Sequence, residues 1–474
     1  MTKLITIDPV TRIEGHSRIT IRLDEHGEVD IARLHITQFR GFEKFVEGRP
    51  FQEMPSLTAR TCGICPVSHL LASAKACDEI MAVRIPESAA MLRRLINYGQ
   101  LIQSHALSFF HLSSPDLLLG MDSDPASRNI LGVAAKFPQL AKDGIWLRKF
   151  GQQIIELTSG KRIHPAWIVP GGVNHPLRLE AREQIVAQLP QAIAVATRTL
   201  DWFKPVISSF QHEIDCFANF PSLFMALVSP DGTIEHYDGS IRVVDAQRRI
   251  VADKIAACDY ADTVGEAVEP DSYLKSPYFK PLGYPQGIYR VGPLARLNVC
   301  ERLATPLAER ELGEFRALQP DGAVLSSFHY HYARLIEILH ALERVGELLD
   351  APEIMDTQVR STASPSRREG VGIAEAPRGT LIHHYRIDDN GLIAWANLII
   401  ATGNNNLAMN QGITQAAKQF VQGGKISEGA LNRVEAVIRC FDPCLSCSTH
   451  VLGQMLLRIE LIDAAGAVVD SCER

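Results

Sequence analysis

The 474-residue chain has 46% hydrophobic and 22% charged residues and a formal net charge of −6, the balance of a folded protein able to bury a sizeable core. It has no lysine- or arginine-rich stripe to neutralise phosphates, so nucleic acid is not an expected partner, and no apolar run near the roughly 20 residues that span a bilayer. The opening "MTKLITIDPVTRIEGH" contains no apolar secretory core, which points to a cytoplasmic protein unless a partner carries an export signal.

Taken in chain order, Ile19, Ile21 and Leu23 alternate before Glu25-His26-Gly27, and Val29 and Ile31 alternate after it, which predicts a β-hairpin. After "CGICPVSH" the period changes. A helix is predicted over 88–112, with Leu92, Leu95, Ile96, Gly99, Ile102, Ala106 and Phe109 on one face. Further helices are expected at about 180–217, across "HYARLIEILHALERVGELLD" and through "EGALNRVEAVIRC". Between them lie the Pro/Gly-rich connectors "VPGGVNHP", "SPDGTIEHYDGS" and "KPLGYPQGIYRVGP", the second of which should border a small strand excursion. Near the end Leu457, Ile459 and Leu461 alternate before "DAAG", predicting a terminal strand or hairpin. No repeat, low-complexity linker or domain boundary interrupts the pattern. The expected fold is mainly α with small β additions at both ends, an α+β chain around a long-helix core.

Ten cysteines are too few for a disulfide scaffold, and their placement matters more than their number. Cys77, Cys216, Cys258, Cys300, Cys440 and Cys472 stand alone and read as small apolar residues. Cys62 pairs with Cys65 and Cys444 with Cys447, each as C-x-x-C, a turn that points two thiolates at one centre. In zinc ribbons two such turns are about 15–20 residues apart; here most of the chain separates them, so a local zinc clip fits poorly. Closure entropy grows only logarithmically with loop length, and a helical body could hold both ends together. Four thiolates suit soft or borderline metals, and two of them can bridge a metal pair. The alternative is two independent redox or structural pairs.

Six ordered motifs carry a resemblance over essentially the whole chain: "DPVTRIEGH" (8–16), "FRGFEKFVEGRPF" (39–51), "RTCGICPVSH" (60–69), "YRVGPLARLN" (289–298), "EAPRGTLIHHY" (375–385) and "DPCLSCSTH" (442–450). Together they resemble the large, catalytic subunit of nickel-iron hydrogenases. Within that family "RIEGH" followed by "RGFEKF", and "IATGNNNLAMN" (400–410), are most similar to the cytoplasmic NAD-coupled bidirectional type.

The resemblance implies that Cys62 and Cys444 are terminal ligands on nickel, and that Cys65 and Cys447 bridge nickel to an iron carrying carbon monoxide and cyanide. H2 would be split heterolytically with Cys444 taking the proton and Glu14 relaying it; a structural pairing of Glu14 with Arg12 or Arg18 is the competing reading. Arg378, preceded by Pro377, would lie over the iron with its guanidinium toward a cyanide, and Asp116 and Asp442 would flank that arginine, although either could be an ordinary helix or turn cap. Thr402 is a weaker candidate for the second cyanide, and His69 would donate to a bridging sulfur. His383 and His384 are taken as structural. Glu43 and His450 would hold Mg2+.

As partners, the resemblance implies an iron-sulfur small subunit, diaphorase subunits with flavin, NAD and iron-sulfur clusters, nickel chaperones and a maturation endopeptidase. The endopeptidase would remove 451–474 by cutting after His450 once nickel is in place, leaving 1–450 as a single domain. While the tail is attached, the second cysteine pair need not be fully enclosed, which would leave a route for metal insertion. Other readings keep the chemistry and change the acceptor to a deazaflavin or sulfur, assign an H2 sensor, or take the chain for a non-catalytic quinone-reductase subunit, which the four cysteines oppose.

Overall fold

The computed structural model describes residues 4–269, 272–421 and 427–450, together with the backbone of two later strands, Arg458–Ile462 and Val468–Glu473. The predicted hairpin is present as Arg18–Leu23 paired antiparallel with Val29–His35, and its alternation buries Ile19, Ile21 and Leu23. Leu4–Ile7 adds a third strand on the other side of Arg18–Leu23 that the sequence pattern did not announce.

The helices build the body. Pro66–Met81 starts directly after Cys65, with Pro66 in the first turn, where a missing N–H leaves no helical bond unmade. Glu87–Leu107 buries the predicted face and then widens into a π turn over Ser108–Ser113, so the regular α-helix ends sooner than expected. It packs closely on Pro138–Ser159: a Cβ on Gly151 would stand 2.7 Å from the Gly99 carbonyl oxygen. The helix expected over 180–217 is divided into Leu179–Val186, Leu189–Ile207 and Gln211–Cys216, with Pro190 restarting the second piece and Pro205 near its end. Tyr330–Asp350 and Glu428–Phe441 fall where the periodicity placed them. Among the described residues no helix is long and apolar enough to cross a membrane.

The β structure extends further than the two ends. The "SPDGTIEHYDGS" connector joins Leu223–Val228 to Ser240–Val244 in a four-stranded sheet completed by Ile250–Ile255 and Tyr289–Arg290. Glu369–Ala376, Gly379–Ile387 and Ile393–Ile399 form a three-stranded antiparallel sheet. All of Glu369–Ala376 except its first residue is buried, so "EGVGIAEA" shows no polar alternation to betray a strand. It lies directly on the Pro66–Met81 helix, where a Cβ on Gly372 would come within 1.9 Å of the Ala72 carbonyl oxygen. The helix that follows Cys65 and the strand that leads to Arg378 are thereby locked together.

The C-terminal segment returns to the same region. Thr449 bridges to Leu274, and the His450 N–H donates to the Tyr273 carbonyl at 3.0 Å. Beyond it, Arg458–Ile462 pairs antiparallel with Val468–Glu473 as a two-stranded sheet of its own, as the alternation predicts; Leu457 and the "DAAG" turn lie outside the described residues.

Candidate metal centre

The four paired cysteines meet. Their sulfurs all lie within 4.8 Å of one another, with Cys62 Sγ 3.3 Å from Cys444 Sγ and Cys65 Sγ 3.7 Å from Cys447 Sγ, pairs that are each 382 positions apart in the chain. All four side chains are buried. Local backbone sets their direction: the N–H groups of Ile64 and Cys65 both point at Cys62 Sγ at 3.2 Å, and the Cys444 N–H donates to Thr402 Oγ1 at 2.9 Å. S–H groups of Cys444, Cys447 and Cys62 hold the Cys65 thiol well below its ordinary range, whereas burial pushes Cys444 and Cys447 well up. Four thiolates this close repel one another strongly in a buried setting, so the set calls for cations between them. The donor chemistry, four soft sulfurs with no hard oxygen, fits nickel and iron.

A small enclosed cavity adjoins the cluster, lined by Cys65, Cys444, Cys447, His69, Arg378 and Thr402 among others; Cys62 is not part of its wall. Arg378 is completely buried. Burial opposes its charge, but Asp442 first and the cysteine sulfurs after it overcome that penalty and keep the guanidinium cationic. Its Nη2 lies 3.1 Å from Asp442 Oδ2 and its Nε donates to the Asp442 carbonyl. Asp442 caps the Glu428–Phe441 helix in the left-handed region (φ 53°), which a short polar side chain tolerates, and Pro443 blocks any continuation.

Asp116 pairs with two other arginines. It receives Arg12 at 2.6 Å and Arg439 at 3.0 Å, with Asn432 at 3.0 Å, and among the described contacts none joins it to Arg378. Burial works to raise its carboxyl and is outweighed by Arg439 and Arg12, which hold it low. It therefore ties the "DPVTRIEGH" segment to the last long helix.

Arg12 being committed to Asp116, Glu14 has a different partner: its carboxylate accepts the Ser446 N–H at 3.0 Å, its carbonyl accepts the Leu445 N–H at 3.2 Å, and the two segments run parallel with Glu14 opposite Cys444. Gly15 makes this approach possible, since a Cβ there would stand 2.7 Å from Leu445 Cβ. Thr402 borders the cavity with its hydroxyl oxygen accepting from Cys444, leaving its proton to be donated. Pro377 is buried beside Arg378 and its carbonyl faces Arg296. Glu43 and His450 touch, Oε1 to Nδ1 at 2.5 Å, in a cleft that also holds Glu266, Lys275 and Asn397. Burial raises Glu43, and the His450 hydrogen bond and charge outweigh it and bring the carboxyl down.

His69 helps to lower the Cys65 thiol and, through Nδ1, meets His383 Nε2 at 3.1 Å; His383 Nδ1 meets the Tyr385 hydroxyl at 2.5 Å, and that hydroxyl donates to Ser73 at 2.9 Å. Reading both adjacent histidines as structural missed this chain. Strand alternation was the available signal: His383 and Tyr385 share a face, while His384 points the other way, to Tyr260 and Glu369. Arg296, Glu337 and Glu375, a fully buried ion cluster beneath Arg378, were also missed.

Residues 40–132 and 232–450 match the nickel-dependent hydrogenase family, and residues 4–39 a HoxL-like family. The chain is 44% identical to the NAD-reducing hydrogenase HoxS subunit beta of Cupriavidus necator over 100% of both chains. It is 42% identical to a chain of the F420-non-reducing hydrogenase vhc of Methanococcus voltae over 96% of both. A crystal structure of an NAD+-reducing NiFe hydrogenase in the H2-reduced state superposes with a TM-score of 0.92 at 45% identity, covering 95% of this chain and 100% of that one. The Ni-Fe-Se hydrogenase of D. vulgaris Hildenborough, at 22% identity over 95% of this chain and 100% of that one, shares the fold with a TM-score of 0.76. Four converging cysteines from opposite ends of the sequence, held in this fold, make the chain a member of the nickel-dependent hydrogenases, as a large, catalytic subunit of the nickel-iron type.

Proposed function

We propose that this chain is the catalytic subunit of a cytoplasmic hydrogenase that interconverts H2 with protons and electrons, and that the electrons pass through the iron-sulfur clusters of a small subunit, then through a flavin-containing diaphorase, to NAD+. The observation that carries the catalytic half is the four-sulfur cluster. The NAD+ half rests on end-to-end similarity to a relative named for that activity. Once bound, a nickel-iron pair with carbon monoxide and cyanide on the iron supplies a soft, redox-active Lewis acid that polarises H2.

The chain's own residues do the rest. By the motif match, Cys62 and Cys444 would be ligands of nickel and Cys65 and Cys447 would be shared with iron. The Cys444 sulfur receives the proton, and Glu14, alongside it in the neighbouring segment, carries the proton on. Arg378 offers its guanidinium donors to the diatomic ligands, Thr402 offers a hydroxyl proton, and His69 donates to the Cys65 sulfur. Glu43 and His450, which already touch, would hold Mg2+ between them, and an endopeptidase would remove 451–474 after His450. Among the described residues the four cysteines are the one converging group of three or more cysteines, histidines and carboxylates, and we assign the electron-carrying clusters to a partner subunit.

Metal analysis and infrared spectroscopy of the purified complex test the site: nickel and iron with carbon monoxide and cyanide stretches are expected, and zinc alone would end the reading. NAD+-dependent H2 oxidation by the same complex tests the acceptor. A second reading, the same chemistry with another acceptor, draws on the comparable identity to F420-non-reducing relatives, and H2 oxidation that ignores NAD+ would favour it.

A further inference from the structure

Arg378 reaches the cysteines from a hairpin loop that cannot hold itself. Ala376 pairs with Gly379, leaving Pro377-Arg378 as a two-residue connection between Glu369–Ala376 and Gly379–Ile387. The favoured two-residue hairpin turns need a positive φ at their first central residue, which proline's ring forbids. Something outside the loop must fix it.

The "YRVGPLARLN" segment does so. Arg296 is fully buried and spends all five of its N–H donors within this one place. Nε donates to Glu337 Oε1 at 2.6 Å, and Nη2 donates to Glu337 Oε2 at 2.7 Å and to the Pro377 carbonyl at 3.3 Å. Nη1 donates to Glu375 Oε2 at 2.7 Å and to the Ala376 carbonyl at 3.0 Å. Both carboxylates are themselves anchored: His105 meets Glu337 at 2.8 Å, and Glu375 Oε1 accepts from Leu227 N–H at 3.0 Å and Thr380 Oγ1 at 2.8 Å. Four residues earlier, Gly292 (φ 93°) lets the loop settle against the backbone, since a Cβ there would stand 2.8 Å from the Arg378 carbonyl oxygen. Val291 is pinned in turn by the Tyr330 hydroxyl at 2.7 Å and by Asn405 at 2.9 Å.

We infer that Arg296, acting with Gly292, is the positioning residue that sets where the Arg378 guanidinium stands beside the four cysteines. This rests on the hydrogenase reading. Arg296 touches no cysteine in the cluster; it acts on the two carbonyls that precede Arg378. Lysine retains the charge but cannot supply five donors in a fixed fork.

The test uses the whole hydrogenase complex carrying Gly292→Ala or Arg296→Lys, with nickel and iron content, the infrared cyanide and carbon monoxide stretches and H2/D+ exchange measured for each. Gly292→Ala alters no charge and should keep both metals, shift the cyanide stretches more than the carbon monoxide stretch, and slow exchange by about 100-fold, the effect of a displacement near 1 Å. Arg296→Lys should give the same spectral change where it folds; if it does not fold, Gly292→Ala decides. Wild-type bands and rate in a fully metallated Gly292→Ala complex overturn the inference. So does loss of metal from that variant, which would make the segment a support for the cluster rather than for Arg378. A wild-type complex without nickel, iron or diatomic bands removes the hydrogenase reading, and the inference falls with it.

Discussion

Glu14 and Asp116 are both acidic and both are given a role by the resemblance, yet the structure separates their work. Glu14 faces the Cys444–Cys447 segment and has no arginine across from it among its hydrogen bonds, which suits a group that exchanges a proton. Glu14→Gln preserves the shape and removes the acid; nickel and iron should be retained while H2/D+ exchange falls by roughly 10²–10⁴-fold. Near-normal exchange would take Glu14 out of the proton route. Asp116 is instead a neutralising post for two guanidiniums, the buried Arg439 and the partly exposed Arg12. Asp116→Asn leaves Arg12 and Arg439 without that charge and should cost about 3–5 kcal/mol, read by denaturant unfolding. Its folded pKa lies below the unfolded value of about 3.9, so the stability it contributes is complete above that value and disappears as pH falls through the folded one. The deficit of Asp116→Asn should therefore shrink in acid, and a deficit that stays constant to pH 2 would contradict this assignment. At this scale the sequence was most legible where spacing is chemistry, as in the two C-x-x-C pairs, and least legible where a role depends on which arginine lies nearby.

Among the elements, the contact that matters most for the centre is a strand lying on a helix. Gly372 in Glu369–Ala376 rests against the backbone of Pro66–Met81, the helix that begins at Cys65, and the same strand leads to Arg378. Gly372→Ala would force a Cβ to within 1.9 Å of a carbonyl oxygen that cannot swing aside. It should destabilise by at least the 1–3 kcal/mol typical of overpacking and misplace Arg378 relative to Cys65. Unchanged Tm and unchanged infrared bands would show the strand to be more yielding than this packing allows. The long helices could be read because their apolar residues recur with a 3.6-residue period, even though the inner turns of Glu87–Leu107 and Tyr330–Asp350 are buried all round. "EGVGIAEA" could not, because burial on both faces erases the alternation that marks a strand, and its glycines look like a loop. The helix over 179–216 was expected unbroken, although Pro190, in the first turn of Leu189–Ile207, was a signal for its first break.

Across the molecule, the cysteines join chain ends that the helical body has already brought together. An ion held by Cys62, Cys65, Cys444 and Cys447 binds the folded chain and has no equivalent site in the unfolded one, so it adds stability according to its affinity, about 4 kcal/mol at a thousand times the dissociation constant. Metallated protein should unfold at higher denaturant than metal-free protein, and amide exchange at 60–66 and 442–450 should slow together on loading. Slowing at one end only would mean that the two pairs act separately. That the extremities converge was inferable from the poor fit of a local clip and from the ordered motifs. The internal sheets and the buried ion cluster that seat Arg378 could not be inferred, since they arise from pairings between segments far apart in sequence.

The last two strands, Arg458–Ile462 and Val468–Glu473, hydrogen-bond to each other and to no other described strand, whereas Thr449 and His450 are stitched to Leu274 and Tyr273. Among the described strands, a cut just past His450 would cross no ladder, and the fastenings of Thr449 and His450 to Leu274 and Tyr273 would remain in place.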